Sequence, residues 1–227
     1  EISWVASGGF QSVPADTFSD HAKALVRGDV AAGLLWEVPE GLPSSVLPVS
    51  GYLSLILNMK SKESLALRTF LITGTRARAE PSRAFRILCR QSEGISRKKA
   101  LDLARDWEEA GIRVSVDFES ESLFQRRLER RDFDAVLGVF SDSLETNPVY
   151  WWHSLSPGNI SGFQNERLDE ILDDWASGKM RKGMWEEIRF LLQGSRGPWI
   201  LLEKEKVSLK LCGSRSALRR LGFPATR

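Results

Sequence analysis

An α/β fold, with a mainly parallel central sheet flanked by helices, is what this sequence predicts, and three observations predict it. Between residues 85 and 140, Phe85–Cys89, Ser96–Ala110, Arg113–Phe118, Ser122–Arg131 and Ala135–Phe140 read strand, helix, strand, helix, strand. Such a βαβαβ run requires right-handed crossovers and makes its strands parallel. The 227 residues are 42% apolar, enough for one large core or two modest ones. No apolar run approaches the roughly 18 to 20 residues that a membrane-spanning helix needs.

Taken in order, Asp16–Arg27 has the period of a helix, with Phe18, Ala22, Leu25 and Val26 on one face, Asp16 or Thr17 as cap and Gly28 as stop. Val30–Val38 reads as a buried strand, Glu40–Ser50, with Pro43 and Pro48, as a loop, and Tyr52–Asn58 as the next strand. Ser61–Thr73 resumes a helical pattern, and arginine-rich Gly74–Arg83 reads as a boundary or surface loop. Within the alternating run, Ser96 is the expected cap of its helix and Leu101, Leu103, Ala104 and Trp107 its apolar face, with Gly111 ending it. Ser141–Gly162 is long, polar and aromatic, and loops of that length are usually functional. Helices at Glu166–Ser177 and Lys182–Gln193 and strands at Trp199–Glu203 and Val207–Leu211 complete the chain.

Charge and chemistry narrow the function. The 32 basic and 30 acidic side chains leave a formal charge of +2, so nothing draws the chain to nucleic acid. Arg126, Arg127, Arg130 and Arg131 alternate with Glu129 and Asp132, the pattern of a solvated helix face. Cys89 and Cys212 lie too far apart for a metal knuckle or redox pair, which leaves simple burial or a long-range disulfide. His21 and His153 have no partner at ligand spacing, so no metal site is expected. Asp132 and Asp134 have no partner base, and no nucleophile elbow, phosphate loop or dinucleotide fingerprint occurs. Neither an enzyme nor a cofactor is expected.

Five fragments, in order from Ala100 to Leu202, resemble the C-terminal lobe of the family 5 extracellular solute-binding proteins, the peptide, dipeptide and nickel group of ABC importers. "WEEAGIRVSV" is similar to the family's L-x-x-x-G-I-x-V-x-V, on Gly111, Ile112, Val114 and Val116. "RRLERRDFDAVLGVF" is similar to its x-x-L-x-x-G-D-Y-D-A-x-L, on Leu128, Asp132, Phe133, Asp134, Ala135 and Leu137. "NPVYWWHS" resembles D-P-x-x-x-W-H-S on Pro148, Trp152, His153 and Ser154, and "NISGFQNERLDEIL" resembles N-x-x-G-Y-x-N-x-x-x-D-x-L-L on Asn159, Gly162, Phe163, Asn165 and Asp169. "GPWILLEK" is similar to A-P-W-I-P-L-Y, and upstream Gly28 and Asp29 resemble L-x-x-G-E-x-D. Leu57 in place of a usual Phe, the single retained Arg68 of an arginine-bearing helix and the short Arg76–Arg83 connection depart from the pattern and leave the ligand class open.

The resemblance implies a class II periplasmic-binding-protein lobe, with residues 1–60 belonging to lobe one and its crossover strands, 61–195 to the ligand-binding lobe and 196–227 to strands returning toward lobe one. It implies capture of a peptide or similar small solute by two-lobe closure, a monomer, an ABC permease as partner, and a periplasmic or extracellular location, free or lipid-anchored upstream of Glu1. A sensor domain of the same fold, or a degenerate domain kept for protein contacts, is the alternative. Asp142 is the expected partner of a ligand cation or else a turn residue, and Asn147 a contact or turn former. Tyr150, Trp151 and Trp152 supply aromatic walls or lobe packing, and His153 a pH-sensitive contact or a hydrogen bond within the loop.

Overall fold

The longest described strand has 14 residues. In this computed structural model, which describes residues 23, 25–27, 32–35, 38, 40–73, 83–141, 143–194, 196–202 and 207–220, seven strands form one mixed sheet. They are β1 (Ala32–Leu35), β2 (Ser44–Leu57), β3 (Phe85–Arg90), β4 (Val114–Glu119), β5 (Ala135–Ser141), β6 (Trp199–Leu201) and β7 (Val207–Gly213), ordered β1-β7-β2-β5-β3-β4, with β6 also on β2. β3 is parallel to both β4 and β5, as the βαβαβ reading requires, while β2 runs antiparallel to β5, β6 and β7. Along one side of β2, β7 covers Ser44–Gly51 and β6 covers Ser54–Ile56, so the two act as one return strand.

Alternation along the strands sorts the core into two layers. Leu53, Leu55 and Leu57 of β2 join Phe85, Ile87, Cys89, Ala135, Leu137 and Val139 on one face. Leu67 of α1 (Lys62–Thr73) and Ala100 and Trp107 of α2 (Gly94–Glu109) cover them. Tyr52, Ile56, Leu88, Val136 and Phe140 point the other way. They meet Phe124 of α3 (Glu121–Arg130), the α6 (Glu166–Ala176) side chains Leu168, Ile171 and Leu172, and Met184, Ile188 and Leu192 of α7 (Met184–Gln193). Each fully buried Leu, Ile or Phe stabilises the fold by about 1.5–3 kcal/mol, so the two layers together dominate its stability. The last described helix, α8, spans Arg215–Arg220.

Several elements differ from the sequence reading. The loop expected over Glu40–Ser50 is largely strand: from Ser44 onward it pairs with β7, and Pro48, which cannot donate to a ladder, sits inside the register shift between Val46 and Ser50. The expected loop Ser141–Gly162 contains α4 (Ser143–Thr146) and α5 (Pro148–Trp152). Arg68, the one arginine retained from the family's helix, is buried, its guanidinium donating to the Gly194 carbonyl at the end of α7. The cysteines are free and buried, Cys89 under α2 and Cys212 beside Leu25, and burial pushes the Cys212 thiol up to about 11. The helix expected at Asp16–Arg27 lies mostly outside the described residues, of which 23 and 25–27 are helical. The Gly74–Arg83 connection also lies outside them apart from Arg83.

Gly111 ends α2 as expected. With φ +79° it lets its own N–H reach Glu108 O (2.8 Å) and that of Ile112 reach Trp107 O (2.8 Å), closing a Schellman motif. Gly111→Ala forces an L side chain into the left-handed region and should lower the stability measured by urea unfolding by about 1 kcal/mol. No helix among the described residues is long and apolar enough to cross a membrane.

Candidate functional site

In sheets of this kind ligands gather beyond the carboxyl ends of the parallel strands. Here β5 ends at Ser141 opposite Gly51, and Gly51 also pairs with Val207. At that level β2 exchanges β7 for β5 and β6, so the carboxyl end of the parallel set lies where the partners of β2 change. A Cβ on Gly51 would lie 2.5 Å from Phe140 O and 2.8 Å from Val139 Cγ1, so this crossing admits only glycine.

A run of aromatic rings starts there. Phe140, opposite Tyr52 in the ladder, meets Trp151 edge-on at 6.3 Å, and Trp151 meets Tyr150 edge-on at 5.4 Å. Trp151 is half-buried and Tyr150 exposed, so this wall is open to solvent. Tyr52 is otherwise buried, yet its hydroxyl donates to Glu145 Oε1 (2.7 Å) in α4, fixing a carboxylate beside the wall. Asn147 caps α5, its Oδ1 accepting the Tyr150 N–H (3.3 Å), and Pro148 takes the first helical position. Gly158 lies flush against Tyr150: a Cβ there would collide with its ring and carbonyl.

The other expected contacts separate from this wall. Trp152 is 1% exposed and stacks on Trp199 (5.8 Å, 26°), whose indole N–H donates to Ser54 Oγ (2.9 Å) inside the core. His153 turns toward α6: Nε2 is 3.3 Å from Asp173 Oδ1, and Nδ1 accepts the Leu155 N–H (3.1 Å). Asn159, which opens the N-x-x-G-Y match, is buried, its amide donating to Phe163 O (2.9 Å) across the turn. Asp142 lies outside the described residues. Tyr52, Phe140 and Glu145 are the additions; the one sequence signal for them is a tyrosine on the core face of a strand that must place its hydroxyl somewhere polar.

One buried acid stands behind the wall. Glu93, the residue before α2, is 7% exposed, and its Oε2 accepts the Ser96 hydroxyl and the Val139 N–H (3.0 Å). Ser96, expected as the cap of α2, thus lies in the first turn and donates to the residue that occupies the cap position. Burial pushes the Glu93 carboxyl above its ordinary range, against the pull of Ser96, Arg90 and the Val139 N–H. Arg90 is itself paired with Glu121 (3.0 Å) and lies over the Phe124 ring (4.3 Å).

Chemically, the arrangement offers flat apolar surface, indole and phenol polar tips and an anchored carboxylate. It suits binding of a ligand that carries amides and a cation. Among the described residues no group of three or more His, Cys, Asp or Glu is placed to hold a metal ion.

No family model matches the chain, and no curated protein matches its sequence. Solved structures do. The chain is similar to the oligopeptide-binding protein AppA from Bacillus subtilis, in complex with a nonapeptide, with a TM-score of 0.64 and 15% identity over 88% of this chain and 55% of that one. It is similar to the Escherichia coli murein tripeptide binding protein MppA, with a TM-score of 0.62 and 14% identity over 87% of this chain and 52% of that one. NikA from Brucella suis, in complex with Fe(III)-EDTA, gives a TM-score of 0.58 and 13% identity over 88% and 56%. The chain spans about half the length of these structures, and over that span its fold is that of a substrate-binding-protein lobe.

Proposed function

We propose that this chain is the ligand-binding portion of an extracytoplasmic solute-binding protein, which captures a peptide or similar small solute by closing on a second lobe and delivers it, as a monomer, to an ABC permease. It does no chemistry on the ligand. The observation that carries the reading is the open wall of Phe140, Trp151 and Tyr150 beside the Tyr52–Glu145 pair, at the carboxyl end of the parallel strands where β2 leaves the lobe. The fold shared with AppA and MppA supports it.

In this reading residues 61–195 form the lobe, while 1–60 and 196–227 carry the strands that join it to its partner. Trp151 and Tyr150 flank a ligand side chain, and Glu145, with Asp142 near it in sequence, meets a ligand cation, a contact that needs a matched partner because an unpaired buried polar group costs about 1–3 kcal/mol. The sheet topology supports closure: β2 and the β6–β7 return strand are the covalent links at the level of Gly51, and few residues there need change their backbone angles.

Isothermal calorimetry with a nonapeptide, a tripeptide and Fe(III)-EDTA tests this. At least one probe should bind, and Trp151→Ala should weaken it about tenfold, as expected for loss of one buried aromatic contact. Heat from none of the three, or equal affinity in the variant, would reject the reading.

A further inference from the structure

The carboxyl end of β5 carries Phe140 and leads directly into the helices that bear Tyr150 and Trp151, yet its neighbour β3 stops supporting it early. The β3–β5 ladder ends at Cys89↔Leu137, two residues short of Val139. An edge N–H left there without an acceptor would be costly, and the acceptor it finds is a side chain: Glu93 Oε2, 3.0 Å away. Gly138 makes room for that contact. A Cβ on Gly138 would lie 3.3 Å from Glu93 Oε2 and 3.8 Å from the Phe140 ring, so carboxyl and ring close over the same residue.

We propose that Glu93 is a positioning residue for the binding wall, a proton-dependent latch that holds the end of β5, and with it Phe140 and Trp151, while its carboxyl is neutral. The role in binding rests on the function proposed above; the hold on β5 does not.

The surroundings favour the neutral form. Cys89 and Arg90 approach Glu93 from β3, Glu121 from α3 and Ser96 from α2, while β5 offers only the Val139 N–H. Arg90 is engaged with Glu121, and no ion pair to Glu93 forms among the described residues. An ionised carboxylate in this position is a buried charge without a counter-ion, next to the negative charge of Glu121, and it gains by moving toward water. Movement of the carboxylate releases the Val139 N–H and removes the support beneath Phe140.

The sign follows. A carboxyl raised above its ordinary value of about 4.5 contributes stability that is complete below that value and is lost as pH rises through the raised value. The wall should therefore loosen on the alkaline side.

NMR of the full chain between pH 4.5 and 9 tests this without any ligand. The Val139 amide and Trp151 indole N–H resonances should titrate together, with one midpoint above the ordinary value of about 4.5. In Glu93→Gln, an isostere that keeps an acceptor but cannot ionise, both should be flat. Ser96→Ala, which removes a donor that favours the ionised form, should move the midpoint up. With the nonapeptide as probe, wild-type affinity should fall about fivefold or more across the same midpoint, and Glu93→Gln should hold the low-pH affinity throughout.

A pH-independent Val139 signal in the wild type, an unmoved midpoint in Ser96→Ala, or the same pH profile in Glu93→Gln as in the wild type would overturn the proposal. If the resonances titrate as expected while no probe binds at any pH, the latch stands and the solute-binding function fails.

Discussion

Asp134→Ala should lower the unfolding free energy in urea by about 2–4 kcal/mol, because the Ser61 hydroxyl and the Arg86 N–H lose their acceptor at about 1–3 kcal/mol each, while half-exposed Arg83 can turn to water. Asp134 has a fully buried side chain, and its two oxygens are occupied throughout. Arg83 donates to both (2.5 and 2.7 Å), the Ser61 hydroxyl to Oδ1 (2.5 Å) and the Arg86 N–H to Oδ2 (2.8 Å). The set ties the start of β5 to β3 and to the turn before α1, so its loss acts on three elements together. Burial raises the Asp134 carboxyl, but hydrogen bonds from Arg83, Ser61 and the Arg86 N–H outweigh it and leave the group below its ordinary value. A depressed carboxyl contributes stability that is present above its unfolded value and is lost as pH falls through the depressed one. Acid unfolding of the wild type should thus include an Asp134 component that is absent in Asp134→Ala. An equal loss of stability at pH 7 and at pH 2 would contradict this account.

Trp152→Ala should be about as damaging, costing about 3–5 kcal/mol by removal of a fully buried aromatic side chain. The ring is sandwiched into the core by Trp199, and its own Nε1 has no hydrogen-bond partner among the described residues. The orphan N–H makes Trp152→Phe informative: it keeps an aromatic ring in the stack and deletes the unsatisfied donor, so its cost should be well under half that of alanine. Trp151→Ala is the matched comparison, since it should lose ligand affinity with little loss of stability. A Trp152→Ala protein as stable as the wild type would move this side chain out of the core and into the cleft.

The adjacent pair also shows where sequence reasoning stops. Successive residues on a helix point about 100° apart, so Trp151 and Trp152 cannot both point straight into the core: one is fully buried and the other only packs against its edge. Which is which depends on where α5 begins, and that is set by the Asn147 cap and Pro148. Without the helix, the surrounding residues read as one long loop and both indoles look equivalent.

The parallel strands are legible for the opposite reason. β3 and β5 are buried on both faces and appear as nearly unbroken apolar runs, "FRILC" and "AVLGVF", between helices with clear stops such as Gly111. The first half of β2 is invisible by the same logic, because Pro43 and Pro48 suggest a loop and its partner β7 lies at the far end of the chain. Glu93 is hidden too. A glutamate ahead of a helix reads as a solvated first-turn acid, and only the early end of the β3–β5 ladder reveals that it serves as an acceptor.

The place of β2 also sets the order in which the chain can assemble. It is the third strand of the sheet from one edge, yet its partners β5, β6 and β7 all come later in sequence, and the Trp199–Ser54 bond joins residues 145 apart. During synthesis β2 therefore emerges with both edges open and stays unpaired until most of the lobe has been made. Closing so long a loop carries an entropic cost before any contact rewards it, and topologies rich in such pairings fold slowly. The strand at the centre of the finished sheet is thus among the last to be secured, and the segment that most needs shielding from other chains while it waits.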